Sequence, residues 1–284
     1  MTESAPPRMP NVDPAVVRDF GREWNRFDQS RLDQAELVRL FNAYFVVFPW
    51  HRIPADARGF DLGCGSGRWA RLVAPRVAEL HCIDASAEAL AVARRNLTGV
   101  PNCYFHHATV DHIPLPDESM DFGYSLGVLH HLPDTAGGLR DCVRKLKMGA
   151  PFLVYLYYAL DGRPWWFRAL WRAANQVRLV VSKLPHSAKL VITTVAAAVV
   201  YLPLAHFARW LERGGWSVER VPLSYYRDKS FYTMRTDALD RFGTRLERRF
   251  TRKEMGAMMV SAGLGDVRFS SSPPYWCASG LRQR

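Results

Sequence analysis

The spacing of apolar residues divides the chain into regions with different predicted structure. Residues 16–27 and 32–48 repeat bulky apolar side chains every three or four positions, which predicts two helices ahead of the main fold. From residue 59, short apolar runs alternate with longer amphipathic runs. The short runs predict strands at 59–62, 79–84, 103–108, 120–125 and 151–158, and the amphipathic runs predict helices at 68–75, 87–97 and 136–146. This order predicts an α/β doubly wound fold, with helices on both faces of a mostly parallel sheet.

The alternation stops after residue 158. Residues 163–213 are rich in Trp, Arg and Ala at helical spacing, which predicts a helical insertion after the fifth strand. Residues 255–262 predict a further helix, and 266–270 and 275–279 predict two short strands that form a terminal hairpin of the sheet. We therefore divide the chain into a helical lead-in and lid (1–57), a core (58–158), a helical and aromatic insertion (159–235) and a C-terminal completion of the sheet (236–284).

Composition supports a folded protein of a reducing compartment. Of 284 residues, 48% are hydrophobic and 23% are charged, which suits one large domain with an elaborated cap. The five cysteines are an odd number with no CxxC pair, so the sequence predicts neither a disulfide framework nor a metal site. Residues 1–14 are polar and proline-rich, with no apolar segment typical of a secretion signal. A cytoplasmic location is the expectation.

The positive charge is concentrated in the insertion. The net charge is +11, and between Asp161 and Ser230 we count 11 Lys or Arg against 4 Asp or Glu. Charge alone leaves nucleic acid, an anionic membrane and an acidic substrate open. Residues 190–204 carry no charge and are flanked by basic residues, but they are shorter than a membrane span and include Pro203. They predict either a buried cap helix or an apolar lid that makes peripheral contact with an anionic membrane at its inner face.

A glycine-rich segment between the first strand and the next helix predicts a ligand site. Residues 61–67 read DLGCGSG, and glycine at every second position lets the backbone turn sharply and approach a ligand closely. The following helix, from about Arg68, offers free N–H groups to an anion. Asp84 ends the second strand, where a carboxylate can accept hydrogen bonds from both hydroxyls of a ribose. Together these features predict a nucleoside-type site.

The GxGxG spacing, with Asp61 two residues ahead of the first glycine, resembles motif I of the class I S-adenosylmethionine-dependent methyltransferases. The similarity continues in the expected order through 83–86, 109–117, 121–131 and 146–150, and so covers 58–158. The branch it resembles is the type 11 or ubiquinone-biosynthesis-like group. The resemblance implies a Rossmann-like sheet of seven strands, S-adenosylmethionine as cofactor, and residues 58–158 as its binding core.

The resemblance also implies which residues bind the cofactor. These are Asp61, Gly63, Gly65, Gly67, Asp84, Ala85, Thr109, Val110, Ser125 and Leu126. Thr109 departs from the pattern, because the family often has an Asp there that binds the adenine amino group. A threonine hydroxyl can still accept that hydrogen bond, and the Val110 backbone can contact the ring.

Candidate catalytic and acceptor residues lie outside the glycine loop. Methyl transfer mainly requires that acceptor, methyl group and sulfur be held in line. A hydroxyl or acidic carbon acceptor also needs a base, for which we predict His131 and then His130, whereas a neutral amine needs none. Residues 225–237 mix aromatics with cations. They predict either an acceptor pocket or an exposed strand pair held by salt bridges, and the residues expected to bind the acceptor are Tyr226, Arg227, Tyr232 and Arg235.

The function that the sequence predicts is methyl transfer to a small molecule such as a sugar, an isoprenoid or a lipid-linked intermediate. Two alternatives stay open: an RNA or DNA methyltransferase, and a protein of this fold that binds the nucleoside without catalysis. The basic insertion permits the former, although no recognised RNA-binding module precedes the core. Residues 272–275 (SPPY) resemble a motif that grips planar amino groups, but their position predicts a plain turn between two late strands. Residues 20–24 predict either a lid over the cofactor or, through Trp24, a helix packed in the core.

Overall fold

The computed structural model describes residues 10–284, which fold around one seven-stranded sheet. The strands are β1 (Arg58–Leu62), β2 (Glu79–Asp84), β3 (Cys103–His107), β4 (Phe122–Leu126), β5 (Pro151–Tyr155), β6 (Leu264–Phe269) and β7 (Cys277–Arg282). Their order across the sheet is β3-β2-β1-β4-β5-β7-β6. The first five strands pair in parallel, and β7 runs antiparallel to both β5 and β6. The predicted doubly wound, mostly parallel sheet with its terminal hairpin is confirmed.

Apart from α9, the helices of the described region occur where the apolar spacing predicts them. They are α1 (Pro14–Arg26), α2 (Gln34–Tyr44), α3 (Ala70–Val73), α4 (Ala87–Asn96), α5 (Thr135–Arg144), α6 (Trp165–Val181), α7 (His186–Ala196), α8 (Leu202–Arg213), α9 (Phe231–Gly243) and α10 (Arg252–Ser261). The helix predicted at 68–75 is shorter than expected, because α3 passes into a 3-10 turn at Ala74–Arg76. Residues 272–275 lie between β6 and β7, as predicted.

Two apolar layers fix the helices to the sheet. On one face, Leu40 and Phe41 of α2 join Phe122 and Tyr124 of β4 in a buried cluster. On the other face, Phe60 of β1 packs in a second cluster with residues of β5, α5 and α10. Since helices cover both faces, the central strands β1, β4 and β5 are buried along almost their whole length, which explains why most of their residues are apolar.

The insertion differs from the sequence prediction in two ways. The predicted boundary at 235/236 falls inside α9, so the helical insertion extends to Gly243. Residues 225–237 do not form a strand pair: they comprise a 3-10 turn at Ser224–Tyr226 and the start of α9. The Ser230 side chain accepts a hydrogen bond from the Thr233 N–H, a helix N-cap that mixed aromatic and charged composition did not reveal.

A single long helix contains the uncharged run of the insertion. A π-helical turn at Ala197–Tyr201 joins α7 and α8 into one continuous helix, His186–Arg213, of 28 residues. By length and apolar composition this helix could cross a membrane, and only 22% of its most apolar window is buried. The helix is therefore long enough to span a membrane, although the uncharged run 190–204 alone is not. It is also not a fully buried cap helix.

Candidate active site

The glycine loop after β1 is held against β2 by its own backbone. The N–H groups of Gly63 and Cys64 both donate to the carbonyl oxygen of Ile83, at 2.7 and 3.1 Å. Gly63, Gly65 and Gly67 have φ angles of 75°, 53° and 76°. Side chains with a Cβ rarely adopt this left-handed region, so the alternating glycines are required by the conformation of the loop.

Asp84 ties the end of β2 to the same loop. Its Oδ2 accepts a hydrogen bond from the Gly65 N–H at 2.9 Å, and its Oδ1 accepts one from the Ser86 N–H at 2.8 Å. Burial raises the pKa of Asp84, and these backbone hydrogen bonds oppose that rise. Each carboxylate oxygen can accept a second hydrogen bond, so ribose hydroxyls can bind without breaking the loop.

Two buried polar groups beside the loop lack partners in the described structure. They are Oδ2 of Asp61 and Oγ of Ser66, each on a residue that is about 1% exposed. Burial raises the pKa of Asp61 well above its usual range. Unsatisfied buried polar atoms are rare in folded proteins and indicate a missing ligand or water. The ammonium group of a bound S-adenosylmethionine is a fitting partner for Asp61, so the residues present fit this cofactor.

The structure places all ten predicted cofactor-binding residues at the carboxyl ends of four adjacent strands. Thr109 directly precedes the 3-10 turn Val110–His112 after β3, and the Ser125 hydroxyl of β4 donates to the Leu62 carbonyl oxygen at 3.0 Å. The remaining ones are Asp61, Gly63, Gly65, Gly67, Asp84, Ala85, Val110 and Leu126. In an open α/β sheet, ligands bind at this edge. Direct contact of each residue with the cofactor stays a prediction.

Helix α1 covers the site with two aromatic side chains four residues apart. Trp24 lies over the glycine loop, and a Cβ built on Gly65 would be 2.9 Å from the Trp24 indole. The Phe20 ring lies 4.9 Å from the ring of His131. The predicted lid at 20–24 thus rests on the loop. A ligand in contact with the Gly65 backbone needs the space of this indole, so α1 must shift, or Trp24 must rotate, for the cofactor to enter.

The lid is fastened to the insertion. Nζ of Lys189, on α7, lies 2.8 Å from Oδ2 of Asp19, on α1, and donates to the Gly243 carbonyl oxygen at 2.9 Å. Farther along, the Gln29 N–H donates to the Tyr232 hydroxyl at 2.9 Å. Lys189 is only 2% exposed, and a buried ammonium is stable only when it is paired. Lid and insertion therefore form one cap over the sheet edge.

The two candidate histidines have different surroundings. His130 is fully buried, its ring stacks on Tyr157 with centroids 4.0 Å apart, and burial holds its pKa well below the usual range. His131 Nδ1 lies 2.6 Å from the carbonyl oxygen of Leu246, which can only accept, so Nδ1 carries the proton. In the neutral ring Nε2 then presents a lone pair, and in the described structure Nε2 is buried without a hydrogen-bond partner. His131 is the better placed base.

Sequence reasoning missed the carboxylate beside His131. Oδ1 of Asp240, on α9, lies 3.9 Å from Nε2 of His131, and Oδ2 of Asp240 accepts a hydrogen bond from the Tyr157 hydroxyl. Burial raises the pKa of Asp240, whereas His131 and the Tyr157 hydrogen bond oppose the rise. The one available signal was Asp237 and Asp240, three residues apart on one helix face within a basic insertion.

Further acidic groups line the same space under the cap. Burial raises the pKa of Glu23, on α1, well above its usual range, and the neighbouring carboxylates of Asp240 and Asp237 add to the rise. Burial likewise raises the pKa of Asp237 to about 6, against the opposing influence of Arg68. The surroundings of His131 are therefore polar, with carboxyl groups from both α1 and α9.

The four predicted acceptor residues do not come together in one pocket. Tyr226 is buried against Tyr201, with ring centroids 5.1 Å apart, and Arg227 pairs with Glu212 at 2.9 Å on the outside of the insertion. The Tyr232 hydroxyl accepts the hydrogen bond from the lid described above. The Arg235 guanidinium lies over the ring of Phe27, 5.3 Å from its centroid. The structure gives them roles in holding the cap, because Tyr226 and Arg227 belong to the turn before α9 whereas Tyr232 and Arg235 lie on the helix itself.

Comparison with known proteins agrees with this geometry. The family described as "Methyltransferase domain" matches residues 60–154. The chain is 34% identical over 107 residues to "Uncharacterized methyltransferase YcgJ" of Bacillus subtilis, covering 37% of this chain and 42% of that protein. It is 31% identical over 123 residues to "Ubiquinone biosynthesis O-methyltransferase" of Sodalis glossinidius, covering 42% of this chain and 48% of that protein. The chain thus spans less than half the length of these curated relatives.

A solved structure aligns over more of the chain. A SAM-dependent methyltransferase from Aquifex aeolicus aligns with a TM-score of 0.48 at 15% identity, covering 95% of this chain and 98% of that one. Residues 60–154 of this chain are therefore similar to a methyltransferase domain, and they contain the glycine loop and Asp84.

Proposed function

We propose that the chain transfers a methyl group from S-adenosylmethionine to an oxygen atom of a small-molecule acceptor of the sugar, isoprenoid or lipid-linked class. The observation that carries the proposal is His131, whose Nε2 lone pair is held under the cap at the cofactor edge of the sheet. A base at this place suits a hydroxyl acceptor, which must lose a proton. The name of the Sodalis relative, an O-methyltransferase of ubiquinone biosynthesis, supports transfer to oxygen. The cytoplasmic location stays a prediction.

The chain's own residues supply orientation, proton transfer and exclusion of water. The cofactor supplies a methyl group on a positively charged sulfur. The Gly65 loop and Asp84 hold the nucleoside, and Asp61 suits its ammonium group. Nε2 of His131 accepts the proton of the acceptor hydroxyl, and the carboxylate of Asp240 stabilises the imidazolium that results. Helix α1 lies over the glycine loop and His131, which keeps water from the reacting atoms.

Turnover by a base variant tests the proposal. The full chain is incubated with methyl-labelled cofactor and fractionated small-molecule extracts, and release of S-adenosylhomocysteine is measured for the wild type, His131→Gln and His51→Gln. His51 is exposed and outside the site, so its variant is the matched control. We expect His131→Gln to bind S-adenosylhomocysteine as the wild type does but to lose turnover by about 10²-fold or more, because it lacks the base.

Three results would contradict the proposal or part of it. Equal turnover by the His131 and His51 variants would remove His131 as the base. Label appearing in added RNA, with salt-sensitive binding, would favour a nucleic-acid acceptor. Tight cofactor binding with no transfer to any fraction would favour a binding protein of the same fold.

A further inference from the structure

The insertion carries most of the exposed apolar surface of the protein. Of the twenty large apolar side chains that are exposed in the described chain, fourteen lie between Trp165 and Trp216. A soluble monomer rarely leaves apolar side chains this concentrated without a partner. Their arrangement, charge and neighbours decide what the partner is.

On the long helix His186–Arg213 the exposed side chains form a stripe opposite its buried face. Thr193, Ala197 and Tyr201 are buried, whereas Val195 and Val199, two positions away from them, are 52% and 64% exposed. Residues two apart on a helix point about 200° apart, so these valines face away from the protein. The stripe continues to Trp210, which is 68% exposed.

Helix α6 also exposes large apolar side chains. Its buried positions are Arg178 and Val181, while Leu170, Val177 and Val180 are 53%, 52% and 65% exposed. The helix exposes the cations Arg168 and Arg172 as well, and Arg172 shares a face with the exposed Leu179, about two turns farther on. Exposed apolar side chains together with cations on one helix are the pattern of helices that lie in the interface of a membrane.

The charge of this segment distinguishes a membrane from a second copy of the chain. Between Asp161 and Glu212 there are seven Lys or Arg residues and no Asp or Glu. Two copies meeting through this surface would bring cations against cations, which disfavours association. Anionic lipid phosphates complement the same charge, and each nearby Lys or Arg strengthens attraction to an anionic surface.

A groove beside the stripe offers cations next to apolar side chains. It has a volume of about 380 Å³ and lies between the ends of Arg26 and Arg235 and the apolar Leu190, Val191 and Val195. Nε of Arg235 is buried without a hydrogen-bond partner in the described structure. A lipid suits this combination, because its phosphate can pair with guanidinium groups while its chain contacts the valines.

We propose that the exposed faces of α6 and of the helix His186–Arg213 dock on an anionic lipid bilayer, with the long helix lying along the membrane surface and not across it. The other face of that helix is committed to the protein through Ala197 and Tyr201 and through the buried Lys189–Asp19 pair, all of which a spanning helix would have to leave. The docking helix packs against α9, which carries Asp240.

Vesicle flotation of the full chain tests the docking surface. The probes are vesicles of phosphatidylcholine alone and of phosphatidylcholine mixed with phosphatidylglycerol, at low and high salt. We compare the wild type, Val195→Asp with Val199→Asp, and a control that carries Val46→Asp with Val260→Asp, two valines of similar exposure elsewhere. We expect salt-sensitive binding to the anionic vesicles, a loss of more than about tenfold for the stripe variant, and binding near the wild-type level for the control.

A second pair of variants tests the charge. Arg168→Ser with Arg172→Ser should weaken binding to anionic vesicles by about tenfold, whereas Arg39→Ser with Arg95→Ser, which removes two exposed cations elsewhere, should not. Binding of S-adenosylhomocysteine by every variant reports that the fold is intact. The vesicle result does not depend on methyl transfer, so it stands or fails separately from the proposed function.

Three outcomes would overturn the membrane proposal. The first is equal vesicle binding by the stripe variant and its valine control. The second is equal binding to the neutral and the anionic vesicles. The third is no vesicle binding together with a dimer, seen by analytical ultracentrifugation, that the stripe variant dissociates, which would assign the surface to a second copy.

Discussion

Replacing Asp84 by Asn removes one of two charged hydrogen bonds that shape the cofactor loop. The carboxylate accepts from both Gly65 and Ser86, at 2.9 and 2.8 Å. An amide has one acceptor oxygen, so its NH₂ group must face one of these N–H donors. The loss of this loop hydrogen bond lowers the free energy of unfolding, and the burial that raises the pKa of Asp84 makes that loss smaller. The amide also loses a charged acceptor for the ribose hydroxyls. A hydrogen bond to a charged group contributes about 1.5–3 kcal/mol, so the loss of one to the ribose corresponds to a rise of about tenfold to 150-fold in the dissociation constant of the cofactor.

Calorimetric titration with S-adenosylhomocysteine measures this effect. Asp121→Asn is the matched control, because Asp121 also accepts a backbone hydrogen bond, from the Arg58 N–H at 2.9 Å, but at the amino end of the sheet. The control should bind within about twofold of the wild type, a change worth less than about 0.5 kcal/mol. A folded Asp84→Asn protein with the same dissociation constant as the control would refute the assignment of Asp84 to the cofactor site.

Three further predictions concern the cap. Asp19→Ala leaves the buried ammonium of Lys189 without its carboxylate and should lower the free energy of unfolding by about 3 kcal/mol or more. Lys189→Met should lower the free energy of unfolding by less, because it removes the buried charge. Equal losses for the two variants in urea unfolding would contradict the buried pair. Trp24→Ala should speed the association of S-adenosylhomocysteine several-fold in stopped-flow measurements, and an unchanged rate would show that the indole is not an obstacle. Asp237 has a pKa raised to about 6, so its ionisation in the fold costs stability as the pH rises from about 4 to about 6. Asp237→Asn should therefore be more stable than the wild type by about 1–2 kcal/mol above pH 6 and equal to it below pH 4. Urea unfolding across this pH range measures the difference. Equal free energies of unfolding at every pH would show that the Asp237 carboxyl is not desolvated.

Much of the candidate cofactor site could be predicted from the sequence because its determinants are local. The glycines of 61–67 are required by backbone angles at those positions, and Asp84 ends a strand that its own apolar pattern marks. Parallel strands then carry their carboxyl ends to one edge, so adjacency in the sheet follows from the order of strands and helices. The prediction that residues of β1, β2, β3 and β4 lie together at this edge therefore requires no knowledge of which distant side chains are in contact.

The sequence by itself determined the sheet, its glycine loop and the insertion, since periodicity and backbone preferences act over a few residues. Only the tertiary structure decided which distant side chains meet. Asp240 lies beside His131 and Trp24 over Gly65 because helices far apart in the chain pack at angles that no local pattern specifies. The uncharged run 190–204 shows the same limit. It is apolar on every side, so its sequence fits a buried helix and an exposed one equally, and only packing against α9 determines which face remains exposed.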